Sequence, residues 1–195
     1  MAPSTQKFAQ TPTLFRDRNQ SDNYILIPST TSENRKYIPL GFFSKDDIAS
    51  NSCHTIPNGT LYHFGVLMSV MHVAWVKAVC GRLKSDFRYS KDIVYNNFPW
   101  PENPTAKQIK AIETASQNVL EVRATFPKSS LKDLYGNLMP EALVKSHNLL
   151  DKAVDVAYSK QTFSDDASRI DYLFDLYEKY TSDLFTSKKT KKLKK

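Results

Sequence analysis

Glycine is scarce in this chain, five in 195 residues, and none stands in a G-x-G-x-x-G or P-loop arrangement. The backbone therefore offers no glycine-rich loop to cradle a nucleotide phosphate. Cysteine is scarcer still. Cys53 and Cys80 are the only two, a usage that fits a reducing, cytoplasmic setting better than a disulfide scaffold. His54, His63, His72 and His147 do not join them in C-x2-C or H-x3-H spacing, so no metal site is expected. His63 and His72 read instead as satisfied core histidines. No G-x-S-x-G elbow positions a serine nucleophile. The acid pairs Asp46-Asp47 and Asp165-Asp166 read as turn and helix-start residues. Residues 1–24 lack the apolar run of a secretory signal. These absences leave no catalytic, cofactor-binding or metal-ligating residue to assign, and point to a binding or structural module.

What is present begins with a foldable composition. Hydrophobic residues make up 41% and aromatics 12%, enough for one large domain or two small ones. The formal net charge of +7 is unevenly spread. Six lysines and no acid occupy residues 188–195; residues 1–101 hold eleven Lys/Arg against seven Asp/Glu, and residues 102–187 hold ten against thirteen. The first half is basic and the second mildly acidic. The lysine-rich end, residues 187–195, is low in complexity and reads as disordered. Such a run can be a solvated terminus, an expression remnant or a weak, salt-dependent tether to DNA.

Along the chain, residues 1–23 form an arm of no clear period. Tyr24-Ile25-Leu26-Ile27-Pro28 and Lys36-Tyr37-Ile38-Pro39-Leu40-Gly41-Phe42-Phe43 read as short strands, the second made an edge or a bulge by Pro39. A third strand is expected within Ile48–Ile56, before the turn Pro57-Asn58-Gly59. Thr60 then caps a helix expected to run unbroken to Val79, with Leu61, Phe64, Met68, Met71 and Trp75 on one face. Its other face is apolar too, so it should be buried nearly all round, with Gly65 permitting close approach of a neighbour and Gly81 as C-cap. The length of Leu61–Cys80 would span a bilayer, but His63, His72, Ser69 and Lys77 within it favour a buried core helix, and no membrane partner is expected. After Pro101 the texture is helical. Helices are expected from Pro104 to Thr125, at Ser129 or Ser130, from Pro140, and from a Ser164 cap onward. The fold class is α+β: a small mixed strand and helix domain over residues 24–101, then an all-α bundle over residues 102–186.

Between the two lies Gly81–Pro101. Here Arg82, Lys84, Arg88 and Lys91 are interleaved with Phe87, Tyr89, Tyr95, Phe98 and Trp100, opposed by Asp86 and Asp92 alone. Cations able to reach phosphate or guanine, beside aromatics that stiffen a loop, suit a nucleic-acid surface. The plainer reading is a domain boundary, since Phe98-Pro99-Trp100-Pro101 must break regular structure.

Several longer motifs narrow this. Tyr24-Ile25-Leu26-Ile27-Pro28, the run Ser32–Phe42, Leu61-Tyr62-His63-Phe64-Gly65-Val66-Leu67, the run Gly81–Ser90 and Phe98-Pro99-Trp100-Pro101 together resemble the target-recognition domain of MmeI-like DNA methyltransferases. Leu134-Tyr135, Met139-Pro140, His147-Asn148-Leu149-Leu150-Asp151 and Leu173-Phe174-Asp175-Leu176-Tyr177-Glu178 resemble that family's C-terminal helical domain. The resemblance implies a DNA sequence recognition module of an N6-adenine methyltransferase or restriction-modification enzyme, binding double-stranded DNA. In such enzymes an S-adenosylmethionine pocket and an Asn-Pro-Pro-Tyr motif belong to a preceding methyltransferase domain. Neither motif occurs here. Asn103-Pro104-Thr105 lacks the second proline and the aromatic that stacks on a flipped base. The chain alone is thus expected to be no enzyme and to hold no cofactor, with the catalytic domain supplied by another chain or missing, as in a split or truncated enzyme. The alternative is a protein-interaction or scaffold remnant whose helical half docks a partner.

Within that resemblance, Arg88 is the first candidate for a base contact, because a guanidinium pairs bidentately with guanine O6 and N7. Asp86, two residues away on the same side of an extended segment, can accept from cytosine N4, and Ser90 continues that side. The resemblance adds Asn51, Ser52 and Cys53, and the loop bearing Ser32, Glu33 and Arg35, as further base-edge candidates. Arg82, Lys84, Lys36 and Lys91 are the phosphate candidates. Against each cation stands a solvated surface charge, and against Asp86 a local salt bridge to Arg88.

Overall fold

The computed structural model describes residues 21–192 and two isolated positions nearer the start, with side chains described through residue 182. The arm expected over residues 1–23 falls almost wholly outside the described residues.

Strand β1 (Asn23–Pro28) lies at the centre of a three-stranded antiparallel sheet between β3 (Gly41–Ser44) and β4 (Cys53–Pro57). Ile25 and Ile27 bury one face of β1, while Tyr24 buries the other and donates its hydroxyl to the Asp47 carbonyl at 2.7 Å. The second expected strand pairs only from Gly41, beyond Pro39, whose ring nitrogen has no hydrogen to give a ladder. A second antiparallel sheet joins β2 (Thr30–Thr31), β6 (Asp86–Arg88) and β5 (Gly81–Leu83), in the order β2-β6-β5.

The long apolar helix is not continuous. It forms as α1 (Leu61–Leu67) and α2 (Val70–Val79), broken at Met68-Ser69. Ser69 takes extended backbone and caps α2, its Oγ accepting from the His72 amide while donating to the Val66 carbonyl at 2.7 Å. A carboxylate from far along the chain completes the cap: Asp151 Oδ1 accepts from the Val70 amide at 3.0 Å. An anionic acceptor at a helix N-terminus meets unpaired amides and the positive dipole end together. At the far end Cys80, not Gly81, is the C-cap; it is extended, and Gly81 opens β5.

Helix α3 (Ala106–Ala124) starts at a Thr105–Gln108 capping box, and the short α4 (Leu131–Leu134) at Ser130. Helix α5 (Glu141–Tyr158) begins after Pro140. Asp165 rather than Ser164 holds the start of α6 (Asp166–Lys192), accepting from the Ser168 amide at 2.8 Å. This last helix runs on to Lys192, into the lysine-rich stretch expected to be unstructured; lysine's good helix propensity lets it continue.

The helical half keeps no core of its own. Ile112, Val119, Leu143, Leu150, Val154 and Leu173 belong to the same buried cluster as Ile25, Phe64, Met71 and Trp75. Close approach of α1 and α3 depends on Gly65, where a methyl group would overlap the Ser116 hydroxyl and Ile112. On the other side Trp75 packs against Phe174 and Tyr177 of α6 at 5.4 and 5.8 Å. The Phe98–Pro101 joint is anchored: Tyr158 donates to the Pro99 carbonyl at 2.9 Å and Tyr180 to the Trp100 carbonyl at 3.1 Å. Among the described residues no helix is long and apolar enough to cross a membrane.

Candidate nucleic-acid interface

The site grows from the side-chain alternation of β6 and its continuation through Tyr89 and Ser90. Phe87 and Tyr89 point inward, 5% and 2% exposed, so Arg88 is turned outward, with the half-buried Asp86 and Ser90 on its side. Tyr89 fixes this phase. Its hydroxyl meets His72 Nε2 at 3.1 Å inside the core, and its carbonyl accepts from His54 Nε2 at 3.2 Å. His72 also places Nδ1 on the Leu67 carbonyl at 2.9 Å, so both ring nitrogens are used. Burial holds this imidazole neutral, with its pKa lowered to about 4 against a weaker opposing backbone hydrogen bond. Asp86 and Arg88 form no ion pair with each other among the described residues.

The other two candidate segments are tied to the same strand. Ser29, between β1 and β2, gives its amide to the Ser52 carbonyl at 2.9 Å and its hydroxyl to the same oxygen at 2.6 Å. Its own carbonyl accepts from the Tyr89 amide at 2.9 Å. The turn carrying Asn51 and Ser52, both exposed, is thereby joined to the end of β6 through one residue. Cys53 is half-buried at the start of β4, opposite Pro28, with its sulfur 3.9 Å from Ser50 Oγ. Strand β2 pairs Thr30 with Arg88 and Thr31 with Phe87, so the loop Ser32–Arg35 leaves directly from the edge of β6. That loop closes on itself through Arg35 N to Ser32 O at 3.2 Å. Ser29 had no signal in the sequence that would mark it; a serine in a polar loop looks like any other.

Three of the candidates are placed differently from what the sequence suggested. Ser90 lies on the Arg88 side, but its hydroxyl also accepts from the Ile93 amide and caps the wide helical turn Lys91–Tyr95. Lys36 lies 5.2 Å from the Tyr37 ring and lines a cleft with Asp151, Asp155, Asp165, Asp166 and Arg169, a setting dominated by carboxylates rather than facing the β6 edge. Arg82 pairs across the strand with Phe87, on the opposite face from Asp86 and Arg88. Lys84 remains exposed at the hairpin tip, and Lys91 is exposed beside a cavity of about 170 Å³ lined by His54, Tyr89 and Tyr95.

A second chain of polar contacts, unmarked by composition, ties the segment after the Ser32–Arg35 loop to the helical half. Arg123 Nη1 donates to the Leu40 carbonyl at 2.8 Å and its Nε to the Tyr135 hydroxyl at 2.7 Å. That hydroxyl meets His147 Nε2 at 2.8 Å, and the His147 ring stacks on Tyr37 at 4.0 Å. Tyr37 in turn donates to Asp151. Burial foremost, then the Arg123 and Lys36 charges, lowers the His147 pKa to about 3.

Comparison with known proteins finds relatives over nearly the whole chain. The family model described as MmeI, target recognition domain, matches residues 1–102, and that for MmeI, C-terminal domain, matches residues 104–185. DNA methyltransferase A of Bacillus subtilis (strain 168) is 43% identical over 179 residues, covering 91% of this chain and 20% of that protein. The solved structure of the Type IIL restriction-modification enzyme MmeI in complex with DNA superposes with a TM-score of 0.84 at 43% identity, covering 93% of this chain and 24% of that one. The chain thus spans about a fifth to a quarter of the length of these relatives. With both family models matched in chain order, the chain belongs to the MmeI family, carrying its target recognition and C-terminal domains.

Proposed function

We propose that this chain reads a short sequence in double-stranded DNA, as the recognition part of an MmeI-like N6-adenine methyltransferase. The observation that carries the reading is the outward phase of Asp86 and Arg88 over buried Phe87 and Tyr89, with the Asn51–Cys53 turn linked to the end of that strand through Ser29 and the Ser32–Arg35 loop following the strand paired with it. A major groove presents guanine acceptors and a cytosine donor, which a guanidinium and a carboxylate side by side can distinguish. Lys84 and Lys91 flank this edge as phosphate contacts. Methyl transfer itself calls for a flipped adenine held beside S-adenosylmethionine. These 195 residues lack the sequence motifs for either, so that step belongs to a methyltransferase domain outside them, in the cytoplasm.

The test is selection of bound duplexes from a random pool, then titration of the enriched site at several salt concentrations. A single enriched motif is expected, with affinity falling as salt rises. Arg88→Ala should cost about 1–3 kcal/mol on that site and little on unrelated duplexes. No enriched motif, alone or with a methyltransferase domain added, would end the reading. In that case the helical half becomes the working surface, and the exposed Leu149 and Val156 of α5 give a protein partner somewhere to dock.

A further inference from the structure

Composition places Arg82 with the other cations of the hairpin as a phosphate contact, yet its surroundings are those of a brace. Cross-strand pairing sets Arg82 opposite Phe87, and Phe87 is paired on its other side with Thr31. These three share one face of the small sheet, buried at Thr31 and Phe87 and open at Arg82, while Asp86 and Arg88 occupy the other. The guanidinium carbon lies 4.0 Å from the centre of the Phe87 ring. From that platform Nη1 donates to the Ser85 carbonyl in the hairpin tip at 2.8 Å and reaches Glu33 Oε2 at 3.5 Å. One side chain therefore touches the tip, the strand and the loop that carries Ser32, Glu33 and Arg35. An ion pair this exposed, with the partners at 45% and 43%, contributes little to stability. Its consequence is positional.

We propose that Arg82 is a positioning residue that fixes the Ser32–Arg35 loop relative to the Asp86–Arg88 edge, so that it governs which bases are accepted rather than how strongly phosphate is held. The inference rests on the DNA-reading function above. Without the brace, the loop is held only at its two ends, by β2 before it and by buried Tyr37 after it, and its middle can shift against the strand. Neighbouring base pairs would then be read by two edges no longer held in one register. A guanidinium stacked on a ring and forked between a carbonyl and a carboxylate is a task lysine does poorly, so Arg82→Lys should not substitute.

The experiment compares Arg82→Gln, Arg82→Lys, Glu33→Gln and the Arg82→Gln/Glu33→Gln double variant of the full chain on the selected duplex and its single-base variants. A brace predicts that Arg82→Gln reduces discrimination at the positions read by the loop by about tenfold, with the slope of log affinity against log salt unchanged. Glu33→Gln should produce the same loss, and the double variant no more than either. A phosphate contact predicts the reverse: a slope shallower by about one unit and uniform discrimination. That result, or additive effects of the two substitutions, would overturn the proposal. A DNA-free measurement separates its failure from that of the function. Backbone amide relaxation of Glu33, Asn34 and Arg35 should show increased mobility in Arg82→Gln, and unchanged relaxation there rejects the brace even if the chain binds no DNA.

Discussion

The Tyr37 hydroxyl donates to Asp151 Oδ2 at 2.7 Å, between residues 114 positions apart. One residue belongs to the segment that approaches the first sheet, the other to the middle of α5. The second oxygen of the same carboxylate caps α2 at Val70. Asp151 is thus a single acceptor that fastens two separate pieces of the recognition half onto the helical half. Removing it leaves a buried phenol and a helix-start amide without partners. Asp151→Ala should cost about 2–3 kcal/mol in a urea melt, in line with two orphaned donors. Asp151→Asn keeps an oxygen for the Val70 amide and should cost about half of that or less. Equal losses in the two variants would mean that the oxygen kept by asparagine for the Val70 amide counts for nothing, and that the oxygen facing Tyr37 carries the whole effect.

The same group gives a pH dependence of unusual sign. Burial is the largest influence on Asp151 and raises its pKa to about 6, against the lowering effects of the Tyr37 and Val70 hydrogen bonds and the Lys36 charge. A raised carboxyl binds its proton more tightly folded than unfolded, so its contribution is full below about pH 4 and is lost as pH rises through 6. His72 and His147 act oppositely. Their folded values of about 4 and about 3 lie below the unfolded 6.5, so their contribution is present above pH 6.5 and is lost as pH falls. Near pH 5 the unfolded chain holds about two protons on these histidines, while the folded chain holds about one, on Asp151. Stability should fall by about 1.4 kcal/mol per pH unit there. Asp151→Asn removes the opposing proton and should steepen the fall to about twice that. An unchanged slope in urea melts at pH 6, 5 and 4 would show that these three groups do not set it.

Gly65 tests the contact between α1 and α3. A Cβ placed there meets the Ser116 hydroxyl and Ile112 Cγ2, both fully buried, so neither can swing away into solvent. The usual gain in helix propensity on replacing glycine with alanine, about 1 kcal/mol, is therefore expected to reverse. Gly65→Ala should destabilise by about 1–3 kcal/mol, the cost of overpacking a filled core. Adding Ser116→Ala removes the nearest clash and should recover part of the loss. A stabilised Gly65→Ala would contradict the close approach.

How far such features could be read from residues alone varies with the range of their causes. Gly65 announced itself because a glycine amid large apolar residues has few other reasons to be there. The helical period of Leu61 to Val79 was plain, but the break at Met68-Ser69 was not, since part of its cap comes from Asp151, 81 residues beyond Val70. Arg88 and Arg82 look alike in composition. Only the strand pairing, across elements of three residues each, puts them on opposite faces of the sheet. A three-residue strand is too short for alternation to be counted. Lys36 is adjacent in sequence to the Ser32–Arg35 loop, yet the turn into buried Tyr37 carries it to the carboxylates of α5 and α6.

Lys84 supplies the final test, in which stability and binding should move in opposite directions. Leu83 pairs with Asp86, leaving Lys84 and Ser85 as a two-residue hairpin loop, and Lys84 takes φ of 56°. A positive φ at the first of two loop positions alone belongs to the turn that prefers glycine there. A lysine pays for that conformation with crowding of its Cβ, at about 1 kcal/mol. Lys84→Gly should therefore stabilise the folded chain by about 1 kcal/mol, read as a higher urea midpoint with unchanged m. The same substitution removes the ammonium at the exposed tip. Affinity for DNA should drop on selected and unrelated duplexes alike, with a salt slope shallower by about one unit. Lys84→Asn, which tolerates positive φ and carries no charge, should behave the same way in both respects. A variant that gains stability and keeps its salt slope would place the tip away from the phosphates, leaving Lys91 as the nearer cation to the reading edge.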